Sequence, residues 1–283
     1  MTSAIALEGV VFDYPDGTRA LAGVDLAVGS GECVGIVGQN GSGKSTLVRQ
    51  LNGLLRPTSG RVTIDGSDVA GRHVAELART VGLAFQNPDR QIFAGSVQRE
   101  VAFGPRNLGR RGEELERDVA EALRAVGLEG QPATNPYDLG FSRRKLLALA
   151  SILAMRTSIV VLDEPTTGQD ARGVARIQTI VRELAADGRT VIAISHDMRF
   201  VAESFRRVVV MRAGSIVLDT TPGEVFDEHN RATLASTWLE PPMAAVVGAR
   251  LGLHDTPTDA SLVVAIVGGP KSPRRPPSAT AGG

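Results

Sequence analysis

The chain has 283 residues, 42% of them hydrophobic, enough to bury one large core or two modest ones. Lysine plus arginine and aspartate plus glutamate both number 31, so no net field draws the molecule to nucleic acid or to an acidic partner. Cys33 is the single cysteine and cannot form an internal disulfide, no run approaches the roughly 20 apolar residues of a membrane span, and the opening MTSAIALEGV has no basic segment leading into an apolar one. A cytoplasmic protein is therefore expected, with any membrane role peripheral.

In chain order, IALEGVVFDY, the turn PDGT and ALAGVDLAV predict short antiparallel strands. ECVGIVG then predicts a compact strand running into GQNGSGKST, and TLVRQLNGLL a helix with Leu47, Leu51, Leu54 and Leu55 on one side. RVTIDGSDV reads as a strand and turn, and VGLAFQ as a short strand. From Ser96 the pattern turns helical; in GEELERDVAEALRAVG, Leu115, Val119, Leu123 and Val126 share one face. An inserted helical subdomain is predicted over about residues 90–155. After it come the strand SIVVLDEP, the helix ARGVARIQTIVRELAADG, the strand TVIAISHD and the strand pair VVVMRAGSIVLD. Strands alternating with helices imply an α/β fold with a mostly parallel sheet covered on both faces. The main domain is expected over residues 1–225, an accessory segment of helices and loops over 226–268, and a flexible tail over 269–283, where GPKSPRRPPSATAGG offers little apolar surface to pack.

The segment from Gly38 to Ser45, GQNGSGKS, fits a phosphate-binding loop. Glycines at 38, 41 and 43, interleaved with Gln39, Asn40 and Ser42, let the backbone curl so that successive N–H groups face phosphate oxygens. Lys44 would reach the β and γ phosphates, the Ser45 hydroxyl would coordinate Mg²⁺, and the helix opening through Thr46 would add its positive end. A merely flexible Gly/Ser loop would not require a lysine and a hydroxyl in that order between a strand and an amphipathic helix. SIVVLDEP supplies adjacent carboxylates at the end of a second apolar strand. Asp163 would hold Mg²⁺ through water, and Glu164 would polarise the attacking water as general base.

GQNGSGKST, VVLDEPTTGQD and ISHD, in this order and at these separations, resemble the ATP-binding cassette ATPases over about residues 5–225. The resemblance implies a P-loop core of RecA type with an N-terminal antiparallel β-subdomain and an inserted α-helical subdomain, and ATP and Mg²⁺ as cofactors. It further implies that Tyr14 stacks on adenine, that Gln86 senses Mg²⁺ and a membrane partner, and that His196 contacts the γ phosphate. Gly168, Gln169 and Asp170 match the loop that crosses a dimer interface. Taken singly, a tyrosine before proline can be turn packing and a histidine a surface residue.

Residues 85–107, FQNPDRQIFAGSVQREVAFGPRN, are similar to the energy-coupling factor subgroup, importers of vitamins and of metal ions such as cobalt or nickel. That subgroup implies a transmembrane coupling component, a second ATPase, a separate substrate-binding membrane protein, and residence on the cytoplasmic face of the membrane. Ile92, Phe93, Val97 and Phe103 would offer a partner helix an apolar patch, unless they fill the insert's own core.

The family's signature, LSGGQ, has a degenerate counterpart here: Leu139 is kept, while Gly140, Phe141, Ser142 and Arg143 stand in the next four positions. In the family this segment touches the γ phosphate held by the opposite subunit, and Phe141 adds bulk where backbone should approach phosphate. Read on its own, the stretch is equally an ordinary helix start capped by Ser142. A complete P-loop with a weak signature suits a heterodimer, with a homodimer the alternative. The rivals to a transport ATPase are a regulatory subunit that holds ATP without turnover and a cassette acting on ribosomes or DNA. The balanced charge and the single cassette disfavour the last.

Overall fold

The computed structural model describes residues 3–268. Two strands, β1 (Ser3–Asp13) and β2 (Arg19–Gly29), pair antiparallel across a tight turn in which Tyr14 N–H donates to Thr18 C=O at 2.9 Å and the Asp16 carboxylate accepts from Thr18 N–H at 2.9 Å. After them come β3 (Cys33–Gly38), α1 (Lys44–Leu51), β4 (Ser59–Ile64), β5 (Ser67–Asp68), α2 (Val74–Leu77) and β6 (Val81–Ala84). The first sheet has the order β2-β1-β4-β5 and is antiparallel throughout.

Three helices follow, α3 (Val97–Asn107), α4 (Gly112–Val126) and α5 (Phe141–Leu153), and form the helical insertion. The chain then returns through β7 (Ile159–Asp163), α6 (Ala171–Ala186), β8 (Thr190–Ile194), α7 (Met198–Ser204), β9 (Arg207–Arg212) and β10 (Ser215–Thr220). The second sheet runs β10-β9-β3-β8-β7-β6, parallel except for the terminal β9–β10 hairpin. Four short helices close the described chain: α8 (Pro222–Val225), α9 (Arg231–Ala235), α10 (Met243–Arg250) and α11 (Asp259–Val267). The tail expected over 269–283 lies outside the described residues.

Strand side chains alternate between faces, so a sheet covered on both sides needs apolar residues at every position of its central strands. In β7, Ile159 and Val161 join one hydrophobic cluster while Val160 and Leu162 join the other; Ile192 and Ile194 of β8 likewise part from Val191 and Ala193. One cluster fills the space toward the antiparallel sheet and α1, the other that toward α3–α7. Each such Val, Leu or Ile side chain contributes roughly 1.5–3 kcal/mol by leaving water.

The insertion buries Leu115, Val119, Leu123 and Val126 of α4 along the stripe their spacing predicts. One expectation needs correction, and one open alternative is decided. Helix α1 ends at Leu51, where Asn52 turns the chain and its side chain accepts from Leu54 N–H at 3.2 Å; Leu47 and Leu51 are buried but Leu54 is exposed. Ile92 and Val97 fill the core of the insertion, so only Phe93 and Phe103 of the proposed patch face outward.

At the edge of the insertion the buried Asp118 pairs with both Arg110 and Arg156, and Arg110 also donates to the Ala154 and Met155 carbonyls at 2.9 and 3.1 Å. One carboxylate thus ties α4 to the end of α5. Removing it leaves Arg156 with Glu121 and Arg110 with Glu114 and two carbonyls, so Asp118→Ala should lower unfolding stability by about 2 kcal/mol, less than for a fully buried pair because both arginines keep other partners and some solvent. Urea denaturation measures this; a change within about 0.5 kcal/mol, the range of ordinary surface substitutions, would contradict it.

Candidate active site

The parallel register brings four chain crossings to one edge. The glycine loop follows β3, Gln86 follows β6, Asp163 ends β7, and His196 follows β8, all at the carboxyl ends of adjacent parallel strands. Open α/β sheets bind ligands at this edge.

In the loop, Gly43 has φ +101°, which L side chains rarely adopt, and a Cβ there would lie 2.4 Å from the Ala20 carbonyl oxygen. The loop is therefore wedged between β2 and α1. Lys44 Nζ donates to the carbonyls of Gly38 at 2.6 Å and Gln39 at 2.8 Å and to Ser42 Oγ at 3.4 Å. Burial pushes the Lys44 ammonium below the usual lysine range, opposed by the Glu164 and Asp163 charges. Ser45 Oγ donates to Asp163 Oδ1 at 3.3 Å. Burial raises the Asp163 carboxyl above the usual range, while that hydroxyl, Arg49 and Lys44 pull it down.

Glu164 is buried and takes φ +52°, unusual for a residue with a side chain. Its N–H donates to Ile194 C=O at 2.9 Å, and its Oε2 lies 2.7 Å from His196 Nδ1 and accepts from the His196 N–H at 3.3 Å. The imidazole itself is largely exposed. Tyr14 meets Phe12 edge-on at 4.9 Å and shares a 2.9 Å hydrogen bond with Thr46 Oγ1, so its ring is fixed beside the loop. Tyr14, Asn40, Gly41, Lys44, Ser45, Thr46, Gln86 and Glu164 line a single open cavity of about 270 Å³. A larger cavity, about 330 Å³, lies in the C-terminal segment around Phe226, Leu234 and Ala249, away from all these groups; the chemistry decides for the former. For Mg²⁺, which takes one or two protein oxygens plus phosphate and water, the Ser45 hydroxyl and the Asp163 carboxylate are a fitting pair, and Gln86 lines the cavity together with Ser45.

Leu139, Gly140, Phe141, Ser142 and Arg143 lie outside this cavity. Gly140, not Ser142, is the N-cap of α5; Ser142 instead points at Gln169, to which its Oγ donates at 2.7 Å. Asp170 caps α6 by accepting from Gly173 N–H at 2.8 Å, and Gly168, φ +75°, lies under the Phe141 ring. Two polar residues escaped the sequence reading. Gln91 accepts from Phe85 N–H at 3.2 Å and donates to Ala148 C=O at 2.7 Å and Ser151 Oγ at 2.9 Å, tying the segment after Gln86 to α5. Lys145 is buried against the Glu164 loop; a lysine heading the apolar run KLLALASIL was its only signal.

A strand, a glycine loop with Lys and Ser, a helix, and paired carboxylates ending a neighbouring parallel strand define a P-loop nucleoside triphosphatase. A sequence model of the family described as ABC transporter matches residues 21–167. The chain is 45% identical over 226 residues to the energy-coupling factor transporter ATP-binding protein EcfA of Methanocaldococcus jannaschii, spanning 79% of this chain and 81% of that protein. It is 41% identical over 262 residues to the EcfA of Methanothermobacter thermautotrophicus, spanning 92% and 84%. Against a putative ABC transporter ATP-binding protein of Caldanaerobacter subterraneus it is 44% identical over 248 residues, 88% of this chain but 43% of that longer protein. Among solved structures it is similar to cbiO1 of Clostridium perfringens, described as part of the ABC transporter complex cbiONQ, with 33% identity and a TM-score of 0.73 over 87% of this chain and 99% of that one. A dimeric ATP-binding cassette solved in a post-hydrolysis state with ADP and Pi gives 27% identity and a TM-score of 0.71 over 77% and 98%. The chain belongs to the ABC transporter family as an ATP-binding cassette; it is an ATPase, and the fold expected from the sequence is borne out.

Because Gly43 combines a left-handed backbone with contact against Ala20, Gly43→Ala should weaken ATP binding at least about tenfold by displacing the loop. Titration with a fluorescent ATP analogue reads this directly, and an unchanged Kd would show that the loop tolerates the methyl group.

Proposed function

We propose that this chain is the ATP-hydrolysing subunit of an energy-coupling factor type importer, working on the cytoplasmic face of the membrane. The observation that carries the reading is that Glu164 lines one cavity with Lys44 and Ser45 while its carboxylate lies 2.7 Å from the His196 imidazole. The relatives named as energy-coupling factor ATP-binding proteins supply the transport context.

In this reading the loop N–H groups and Lys44 bind the β and γ phosphates, and Tyr14 stacks on adenine. Ser45 would hold Mg²⁺ directly and Asp163 through water, with Gln86 beside them; the ion would supply charge neutralisation on the phosphates. Glu164 accepts the proton of the attacking water at a carboxylate oxygen, and His196, held by that same carboxylate, faces the γ phosphate. The catalytic group is thus preset by a contact already formed within the chain.

Exposed surfaces support the proposed partners. Phe93 and Phe103, 60% and 47% exposed, meet edge-on at 4.6 Å and make a compact apolar knob on the insertion, suited to a helix of a transmembrane coupling component. Residues 139–143 and 168–170 form the surface toward a second ABC ATPase. Phe141 stands there in place of the signature's glycine and adds bulk, which favours a heterodimer in which the other subunit supplies an intact signature to this chain's P-loop. Residues 226–268 would support that pairing as an accessory segment. A separate membrane protein selects the vitamin or transition-metal ion; no nucleic acid is involved.

Two outcomes test this. Glu164→Gln in the assembled transporter should lower kcat by about a hundredfold or more while ATP still binds, the size expected for loss of a general base; substantial uptake or turnover in that variant would end the assignment. Phe93→Ala together with Phe103→Ala should abolish copurification with the membrane component and leave the ATP Kd of the chain unchanged. Normal complex recovery would remove the knob from the interface.

A further inference from the structure

The first two turns of α5 are bound to the loop that carries Glu164, by contacts that nucleotide binding does not require. Lys145 is 6% exposed, and burial lowers its ammonium to about 8. A charge so placed has to be compensated by hydrogen bonds. Its Nζ donates to the Glu164 carbonyl and, at 3.1 Å, to the Thr167 carbonyl. One ammonium therefore gathers two carbonyls three residues apart. The Glu164 backbone is pinned from both sides, by β8 through its N–H and by α5 through its carbonyl.

Neighbouring contacts run the same way. Ser142 Oγ donates to Gln169 Oε1 at 2.7 Å and Gln169 Nε2 donates back to the Ser142 carbonyl at 3.0 Å. The Phe141 ring covers Gly168, where a Cβ would come within 2.8 Å of it. Positions 141, 142 and 145 thus grip residues 164–169 of their own chain. Glu164 sits at φ +52°, a conformation that persists only where the surroundings enforce it.

We propose that Lys145 is a positioning residue for ATP hydrolysis: it holds the backbone of Glu164 in its left-handed conformation, which aims the carboxylate at His196 and the phosphate cavity. The inference rests on the reading of Glu164 as the base. It gives the altered signature helix a task within its own subunit, apart from any contact it makes across a dimer.

The test compares Lys145→Met, which keeps the aliphatic stem and removes the donors, with Lys145→Gln, which keeps an N–H donor, in the full chain assembled with its membrane partners. Steady-state turnover gives kcat and KM, and a fluorescent ATP analogue gives Kd. Lys145→Met should cut kcat by about ten- to a hundredfold with KM and Kd within about twofold of wild type, because a misaimed base affects the chemical step and not ground-state binding. Lys145→Gln should recover part of kcat with the same unchanged Kd. Unchanged kcat in Lys145→Met, or a parallel loss of kcat and ATP affinity, would overturn the proposal. Should Lys145→Met fail to fold, the kcat-only loss expected of Lys145→Gln decides in its place. Glu164→Gln run alongside separates the two claims: if it retains turnover, the base assignment fails, whereas if it is inactive and Lys145→Met is normal, only the positioning role fails.

Discussion

Lys44, Asp163 and Glu164 are nearly excluded from water at the carboxyl edge of the parallel sheet, and the rest of the structure can be understood from what keeps them there. An isolated charge in such a place is too costly to persist. Each is compensated locally: Lys44 by loop carbonyls, Asp163 by the Ser45 hydroxyl, Glu164 by His196 and its backbone N–H. These groups and their partners come from three crossings of one sheet, after β3, β7 and β8, so the strand order and register must be right for the site to exist at all. β7 pairs with β8 so that Asp163 lies level with Ile194, and β3 pairs with β8 so that Ile36 lies level with the same residue. That alignment sets Glu164, Ser195 and the start of the glycine loop side by side. The strict alternation of apolar residues on β7, β8 and β9 into two cores enforces the alignment, because a slip by one residue would exchange the faces of every side chain.

Short-range chemistry was legible in the sequence. The glycine loop, the carboxylate pair and the histidine each sit at a strand end, where a local pattern of apolar run then polar group fixes both the element and the direction of the side chain. The stripe of α4 was readable for the same reason. What escaped, apart from the local turn at Asn52, depended on contacts distant in sequence. Leu54 matched the helical spacing of Leu47 and Leu51, yet the cap at Asn52 ended the helix before periodicity could place it. Ile92 and Val97 were indistinguishable from Phe93 and Phe103 as apolar residues; only the packing of α3 on α5 sorts buried from exposed. Ser142 had the identity of a cap, but Gln169, 27 residues on, claimed its hydroxyl while Gly140 took the cap position.

Lys145 is the sharpest instance, since a lysine beginning a helix ordinarily reads as a solvated charge. Its role becomes visible only when β7 and α5 are side by side and the ammonium is seen to face carbonyls and not water. The same geometry bears on the signature. A segment that must approach a phosphate across a dimer interface benefits from small residues and a free backbone, whereas one that must grip its own loop benefits from bulk and from donors that reach inward. Phe141, Ser142 and Lys145 are of the second kind, and all three act on residues 164–169 of the same chain. Under the positioning role proposed for Lys145, the departures from the family's signature are not simple loss. Substituents ill suited to a trans contact are suited to a cis one, and α5, which packs against α3 and α4, connects the insertion to the loop of Glu164 through side chains already in place.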